Sequence, residues 1–506
     1  MNKKTLLLSM ALLCAGNMVA EKQFKPKKYP QVYKATEESL SQHNNIPEWF
    51  KDAKLGIYSH WGLYSIPAFL GEWYAKWMHV PVGAPDWGAQ SYSHHCETYG
   101  DPAQFPYHNF IPMFKAEHYN PASWVELYKQ AGARFAGAVV QHHDGFAMWD
   151  SDVNPNNAGD EGPKRDLAGE FLLEAHKQDL KTIATFHHSL TMAKDDKDIA
   201  NSKYYPSVKG YATSTNDAKR KWMYGNVSRK DYLPYWENIV YEVVDRYHPD
   251  MIWFDSGSRR VPTQNFLNII AHHFNATTSR GQEAAIFTKE SHRMQDIRIL
   301  DKEQGGLIAM PDFYWMTDLT LSSSSGWCYV NDQTYKSLDL LIRNMIDAWS
   351  KRGIVLLNIS PTAAGEIPME QQRLLRSLGN WMADFGEAIY GTRAHSTFGY
   401  GDAAHIVGSH AEQSAKMIFS YRDVRFTRSK DGTSVYVFLL GQAPSKADLN
   451  IEHVLENIDN KSIAEVSLLG CNQTVDWEYT DDVLRITAPE ETFATEIATV
   501  FKIKLK

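Results

Sequence analysis

Cysteine is scarce in this 506-residue chain, with four in all at positions 14, 96, 328 and 471. So few, so far apart, exclude a disulfide framework and the paired spacing of a structural zinc site. Unbridged thiols are therefore the expectation for Cys96, Cys328 and Cys471. Long apolar runs are also missing: past residue 20 nothing approaches the roughly twenty continuous apolar residues of a spanning helix, so no membrane span is expected there. Positive charge is not in excess either. Lys and Arg number 52 against 60 Asp and Glu, a net charge of −8, which leaves no basic field to hold nucleic acid. Two catalytic signatures are absent as well. Without a G-x-S-x-G elbow there is no case for a serine triad. Without H-E-x-x-H or a comparable two-turn pair there is little case for a catalytic metal, because the adjacent His142, His143 and Asp144 sit at a strand end where neighbours diverge.

What the chain does have begins at its N-terminus. Lys3 and Lys4 precede an apolar run over residues 6–15, and Ala20 follows as a small residue suited to cleavage. This is the make-up of a secretory leader of residues 1–20, which predicts an exported protein, periplasmic or secreted. A lipid-modified Cys14 ranks second, because Leu13 before it is larger than such a site favours.

Aromatic residues make up 12% of the chain, with 15 Trp and 26 Tyr; they offer flat surfaces for sugar rings, although large cores use them too. At this length two domains are expected, since single cores stop growing near roughly 250–300 residues. The periodicity divides accordingly. Helical patterns at 121–131, 166–177, 232–247, 262–274 and 335–350 each lead into a short apolar strand, the strands falling at 135–141, 181–186, 251–255, 284–288 and 354–360. An earlier strand ends at His60. Helix and strand in alternation predict a parallel sheet with crossover helices, and about seven such strands favour an irregular closed (β/α)8 TIM-like barrel over residues 21–389. Beyond residue 390 short alternating strands, with the turn Lys430-Asp431-Gly432, predict an antiparallel β-sandwich over 390–506.

The polar residues His60, His142, His143, His188 and Asp255 all follow apolar strands. In a parallel barrel that gathers them on one face, where active-site loops lie. Asp255 ends the run M-I-W-F-D-S-G at 251–257; alone it reads equally well as the cap of a following helix. A pocket of histidines, aromatics and a carboxylate fits glycoside hydrolysis, which needs a second carboxyl group across the scissile bond. Glu72, Glu283, Glu290 and Glu303 are the candidates near the proposed face, and the histidines can donate to sugar hydroxyls while Trp73 stacks on the ring.

Six segments together resemble the α-L-fucosidases of glycoside hydrolase family 29. They are K-L-G-I-Y-S-H-W-G-L-Y-S-I-P (54–67), E-W-Y (72–74), H-H-D-G-F (142–146), W-F-D-S-G (253–257), and L-L-N-I-S-P-T-A-A-G-E-I-P (356–368) with the later G-E-A-I-Y-G-T-R (386–393). The resemblance implies a (β/α)8 barrel with a C-terminal β-sandwich and a retaining mechanism without cofactor or metal. It makes a fucosylated oligosaccharide or glycoconjugate the substrate. It also implies Asp255 as nucleophile and His60, Glu72, Trp73, His142 and His143 as fucose-binding residues. His188 is carried over where many members have Tyr-Tyr. For the acid/base, position favours Glu303 in D-K-E-Q-G over Glu290, with Glu283 third. Two other classes are set beside this one: a retaining exo-glycosidase for a galactoside, and a carbohydrate-binding protein without catalysis.

Overall fold

The computed structural model describes residues 24–80, 89–193, 204–205, 208, 210–255, 258–289, 294–324, 326–405, 418–458, 462–471, 475–489 and 496–506. The leader expected over residues 1–20, with Cys14, and Glu290 lie outside the described residues. Eight parallel strands close on themselves in the order β1-β2-β3-β4-β5-β6-β7-β8. They are β1 (Leu55–Ser59), β2 (Phe135–Gln141), β3 (Lys181–Phe186), β4 (Met251–Phe254), β5 (Ala285–Thr288), β6 (Ile299–Asp301), β7 (Trp315–Thr320) and β8 (Gly353–Ile359). Closure is made by β1 against β8, in register from Leu55 opposite Val355 to Ser59 opposite Ile359. The count is eight rather than about seven, because β6 has only three residues and β7 carries the polar Thr317, Asp318 and Thr320. Neither shows the apolar run that marks the other strands.

Alternate side chains point inward and fill the barrel: Tyr58, Val139, Ile183, Trp253, Phe287, Met316 and Leu356 form one buried cluster, as the two-residue strand period requires. The intervening positions, among them Ile57, Ala184, Ile252, Phe254, Ile286 and Val355, pack outward against the helices. Those helices start where capping chemistry allows. Asn120 accepts from the amides of Ala122 and Ser123 ahead of Pro121–Gln130, and Asp166 from Gly169 ahead of Leu167–Lys177; each satisfies amides that the first turn leaves without a partner.

From Thr392 onward the chain is antiparallel. One sheet has the order β13-β16-β11-β10-β9 and the other β12-β15-β14. The strands are β9 (Thr392–Tyr400), β10 (Val424–Ser429), β11 (Ser434–Leu439), β12 (Asp448–Glu452), β13 (Ile463–Leu468), β14 (Asp476–Thr480), β15 (Val483–Thr487) and β16 (Thr499–Leu505). Phe426, Val437, Val466 and Phe501 of one sheet meet Leu449, Ile451, Leu484 and Ile486 of the other in a single core, the packing of a sandwich. A buried ion cluster ties this unit to the barrel. Arg425 Nε on β10 lies 2.7 Å from Asp347 Oδ1 on the barrel helix Leu338–Ser350, and Lys351 Nζ lies 2.9 Å from Asp347 Oδ2. Among the described residues Cys96, Cys328 and Cys471 form no disulfide. No helix among the described residues is long and apolar enough to cross a membrane.

Candidate active site

The inward positions that are apolar in mid-barrel become polar at the strand ends. Tyr58 is followed two residues on by His60, Trp253 by Asp255, Phe287 by Lys289, Ile299 by Asp301, Met316 by Asp318 and Leu356 by Asn358. Seven of the eight strands continue their parity in this way, Ile183 leading through Thr185 to His187 on β3. On β2 a register shift between Val139 and Gln141 breaks the alternation. Past this bulge Gln141 stands opposite the outward Phe186, and His142 falls level with His187.

The histidines meet around one hollow. Ring centroids of His60 and His142 are 5.7 Å apart, His60 and His187 5.3 Å, His142 and His187 5.0 Å, and His142 and His143 4.6 Å. His143 Nε2 lies 3.1 Å from Asp255 Oδ2. Trp73 stands over His143 at 5.4 Å and beside Tyr204 at 5.2 Å, while Trp327 faces His60 at 5.4 Å. Glu72 is held from behind: its Oε2 accepts from the Trp327 amide at 2.8 Å, and its carbonyl accepts from the Tyr204 hydroxyl. His60, Glu72, Trp73, His142, His143 and Asp255 thus share one site.

Lys289, at the end of β5, joins the carboxylates. Its Nζ lies 2.8 Å from Asp255 Oδ1, 2.9 Å from Glu303 Oε2 and 3.4 Å from Asp318 Oδ2. Two such contacts to one nitrogen keep the Asp255 and Glu303 oxygens within about 5.7 Å of each other. Nothing in the motif reading pointed to Lys289, yet strand parity would have found it, since it extends the inward series Ala285, Phe287.

Two expectations need correction. His188 is not in the hollow: its Nε2 lies 3.2 Å from the Trp236 carbonyl and its ring stacks on Trp236 at 5.3 Å. The parity of β3 turns it outward and gives its place to His187. Glu283 precedes β5, at the opposite end of the barrel from the histidines, where it is exposed and accepts from Asn44. Asp144 does diverge from His142 and His143. Its Oδ2 accepts from the Tyr107 hydroxyl at 2.9 Å and its Oδ1 from the Phe146 amide at 3.1 Å, so it braces the turn.

Burial and charge set the ionisation of the site. Burial works against ionised Asp255, but the Lys289 ammonium first, then His187 and His143, more than offset it and hold its pKa well below the usual range. Desolvation lowers Lys289, and Asp255, Asp318 and Glu303 outweigh that, so it stays a cation. Desolvation pushes Glu72 up to about 7 against the pull of backbone amides, and Asp144 likewise to about 7. His60 is lowered to about 3 by burial, and His142 and His187 fall well below the ordinary value for the same reason. They are neutral rings, able to donate to or accept from a sugar hydroxyl. A buried, ionised carboxylate facing a second carboxyl group, among neutral donors and aromatic planes, can do glycosyl-transfer chemistry.

Comparison with known proteins gives the family. The model for alpha-L-fucosidase matches residues 20–387, and the model for the alpha-L-fucosidase C-terminal domain matches residues 419–504. The chain belongs to the α-L-fucosidase family. Among its relatives, alpha-L-fucosidase of Branchiostoma floridae is 30% identical over 405 residues, 77% of this chain and 79% of that protein. Human plasma alpha-L-fucosidase is 27% identical over 87% of this chain and 85% of its own length. The solved structure of Thermotoga maritima alpha-fucosidase in complex with fucose superposes with a TM-score of 0.71 at 24% identity, over 93% of this chain and all of that one. At that identity the likeness bears on the fold, a barrel followed by antiparallel sheets. As an α-L-fucosidase the protein is a glycoside hydrolase, which sets aside a purely carbohydrate-binding role.

Proposed function

We propose that this α-L-fucosidase is an exo-acting, retaining enzyme that removes terminal α-L-fucosyl residues from fucosylated oligosaccharides or glycoconjugates. The observation that carries the reading is the Lys289 bridge. It keeps an oxygen of Asp255 within about 5.7 Å of one of Glu303, in line with the roughly 5–5.5 Å spacing of retaining enzymes and short of the roughly 6.5–9.5 Å that an inverting pair leaves for water. Asp255 is the nucleophile, kept ionised by Lys289. Glu303 is the acid/base. Asp255 attacks the anomeric carbon while Glu303 gives its proton to the leaving oxygen, and the glycosidic C–O bond breaks. Glu303 then takes a proton from water, the water oxygen attacks the anomeric carbon, and the bond to Asp255 breaks. The first step needs Glu303 protonated and turned to the leaving oxygen, so substrate entry exchanges its contact with Lys289.

His60, Glu72, His142 and His143 hold the sugar hydroxyls in this reading and Trp73 covers the ring. His187 takes the part first expected of His188. The histidines are almost fully buried, 3% exposed or less, which suits a terminal sugar better than the middle of a chain. A similar fold that holds fucose supports the sugar's identity. The leader pattern of residues 1–20 supports an exported, periplasmic or secreted enzyme. No cofactor enters the reaction as written.

Proton NMR of an aryl α-L-fucoside digest tests the stereochemistry: α-L-fucose should appear first, and β-L-fucose appearing first would overturn the retaining assignment. Asp255→Ala should lower kcat on the order of 10⁴-fold or more.

A further inference from the structure

The three rings of His60, His142 and His187 have an arrangement that sugar binding does not require. Each offers one ring nitrogen, and these nitrogens all lie within 4.8 Å of one another. They come from the ends of β1, β2 and β3, three adjacent strands, so the barrel itself sets their spacing. Tetrahedral coordination at about 2.0–2.1 Å places ligand nitrogens about 3.4 Å apart, a closure within reach of small side-chain rotations.

The tautomer of one ring follows from its partners. Asn358 Nδ2 donates to the Trp327 carbonyl at 2.7 Å, which turns Asn358 Oδ1 toward His60. That oxygen accepts from the His60 amide at 3.0 Å and lies 2.8 Å from His60 Nδ1. Nδ1 must therefore carry the proton, and the lone pair of Nε2 is left for a ligand, with an outer partner fixing the ring as in metal-binding histidines. The Nδ1 atoms of His142 and His187 are buried and have no hydrogen-bond partner among the described residues, although buried polar atoms are rarely left so. Nearby, one ammonium, Lys289, faces Asp255, Glu303 and Asp318, an excess of carboxylate that favours a cation. His143 is tied to Asp255 and stands outside the triad.

We infer that His60, His142 and His187 form a binding site for a divalent imidazole-seeking cation such as Zn²⁺, Co²⁺ or Ni²⁺, with an open fourth position toward the hollow. The ion is not a catalyst here. It occupies nitrogens that the fucosyl residue would use, so it inhibits reversibly; this last consequence rests on the proposed function, whereas the binding itself does not. Among the described residues no other group of three such side chains comes as close together; His188, for one, is spent on Trp236.

The test is titration of the full-length, chelator-stripped protein with Co²⁺ alone, read by visible d–d absorption, with Zn²⁺ calorimetry alongside. One ion per chain should bind with tetrahedral-type bands. His187→Phe, which keeps a flat ring, and His142→Gln should each weaken binding at least about 100-fold, since even outer partners contribute about 10–100-fold. His118→Ala, at an exposed histidine paired with Glu366 and outside the triad, should leave the titration unchanged. Circular dichroism selects the folded variants. Absence of bands in the unmodified protein, or equal binding in a folded triad variant, overturns the site. Activity on an aryl α-L-fucoside is measured separately: Zn²⁺ should suppress it and EDTA restore it. A metal-free protein that never hydrolyses the fucoside would count against the proposed function and leave the Co²⁺ result standing.

Discussion

Lys289 is the residue whose removal separates charge from shape at the site. It bonds to Asp255 and Glu303 at once and lies over the rings of Trp253 and Trp327 at 5.0 and 5.7 Å. Lys289→Met keeps the stem and removes the ammonium. Asp255 owes much of its low pKa to that ammonium, so its pKa should rise in the variant. The acid limb of kcat/KM then moves to higher pH, because the nucleophile is ionised only above its own pKa. Lost charge-assisted bonds of about 1.5–3 kcal/mol predict a fall in kcat/KM of about 10- to 100-fold near neutral pH. Lys289→Arg should restore the position of the limb. A pH profile of both variants checks this; an unmoved limb in Lys289→Met would separate Lys289 from the ionisation of Asp255.

At the scale of elements, the site depends on two departures from regular backbone. One is the bulge on β2, which brings His142 inward. The other is the turn after it, where Gly145 has φ +81° and a Cβ would collide with the Met223 carbonyl. Gly145→Ala should destabilise the protein by about 1–3 kcal/mol. It should also lower kcat/KM, since His142 and His143 belong to the same turn; thermal melting with kinetics measures both. These features show what a sequence can disclose. Strand ends followed by His60, His142, His143 and Asp255 were legible because apolar runs mark the strands and polar residues mark their exits. The choice between His187 and His188 was also legible in principle, by counting twos from Ile183, but the strand-exit reading took the second histidine of the pair. The β2 bulge leaves no mark in composition. Nor does β6, whose three residues bury an aspartate, Asp301.

For the whole molecule, barrel and sandwich were legible as a change of period near residue 390, from helix and strand alternation to short strands. Their junction was not, because the groups that meet there, Asp347 with Arg425 and side chains such as Tyr436 and Phe438 with the barrel's outer core, are far apart in the chain. Asp347 joins Arg425 and Lys351 in a setting where Arg425 has no exposure and Lys351 only 2%. Asp347→Ala leaves two buried cations without that carboxylate and should cost about 3–5 kcal/mol, seen as a lower midpoint in urea unfolding. A change below about 1 kcal/mol would mean that the junction rests on apolar contact instead.

The pairing of Asp255 with Glu303 is tested most directly by azide rescue of Glu303→Ala on an activated aryl α-L-fucoside. The account predicts that azide restores turnover and that the product is α-L-fucosyl azide, formed on the fucosyl-Asp255 intermediate. No rescue of Glu303→Ala, with rescue of Glu290→Ala in its place, would contradict it.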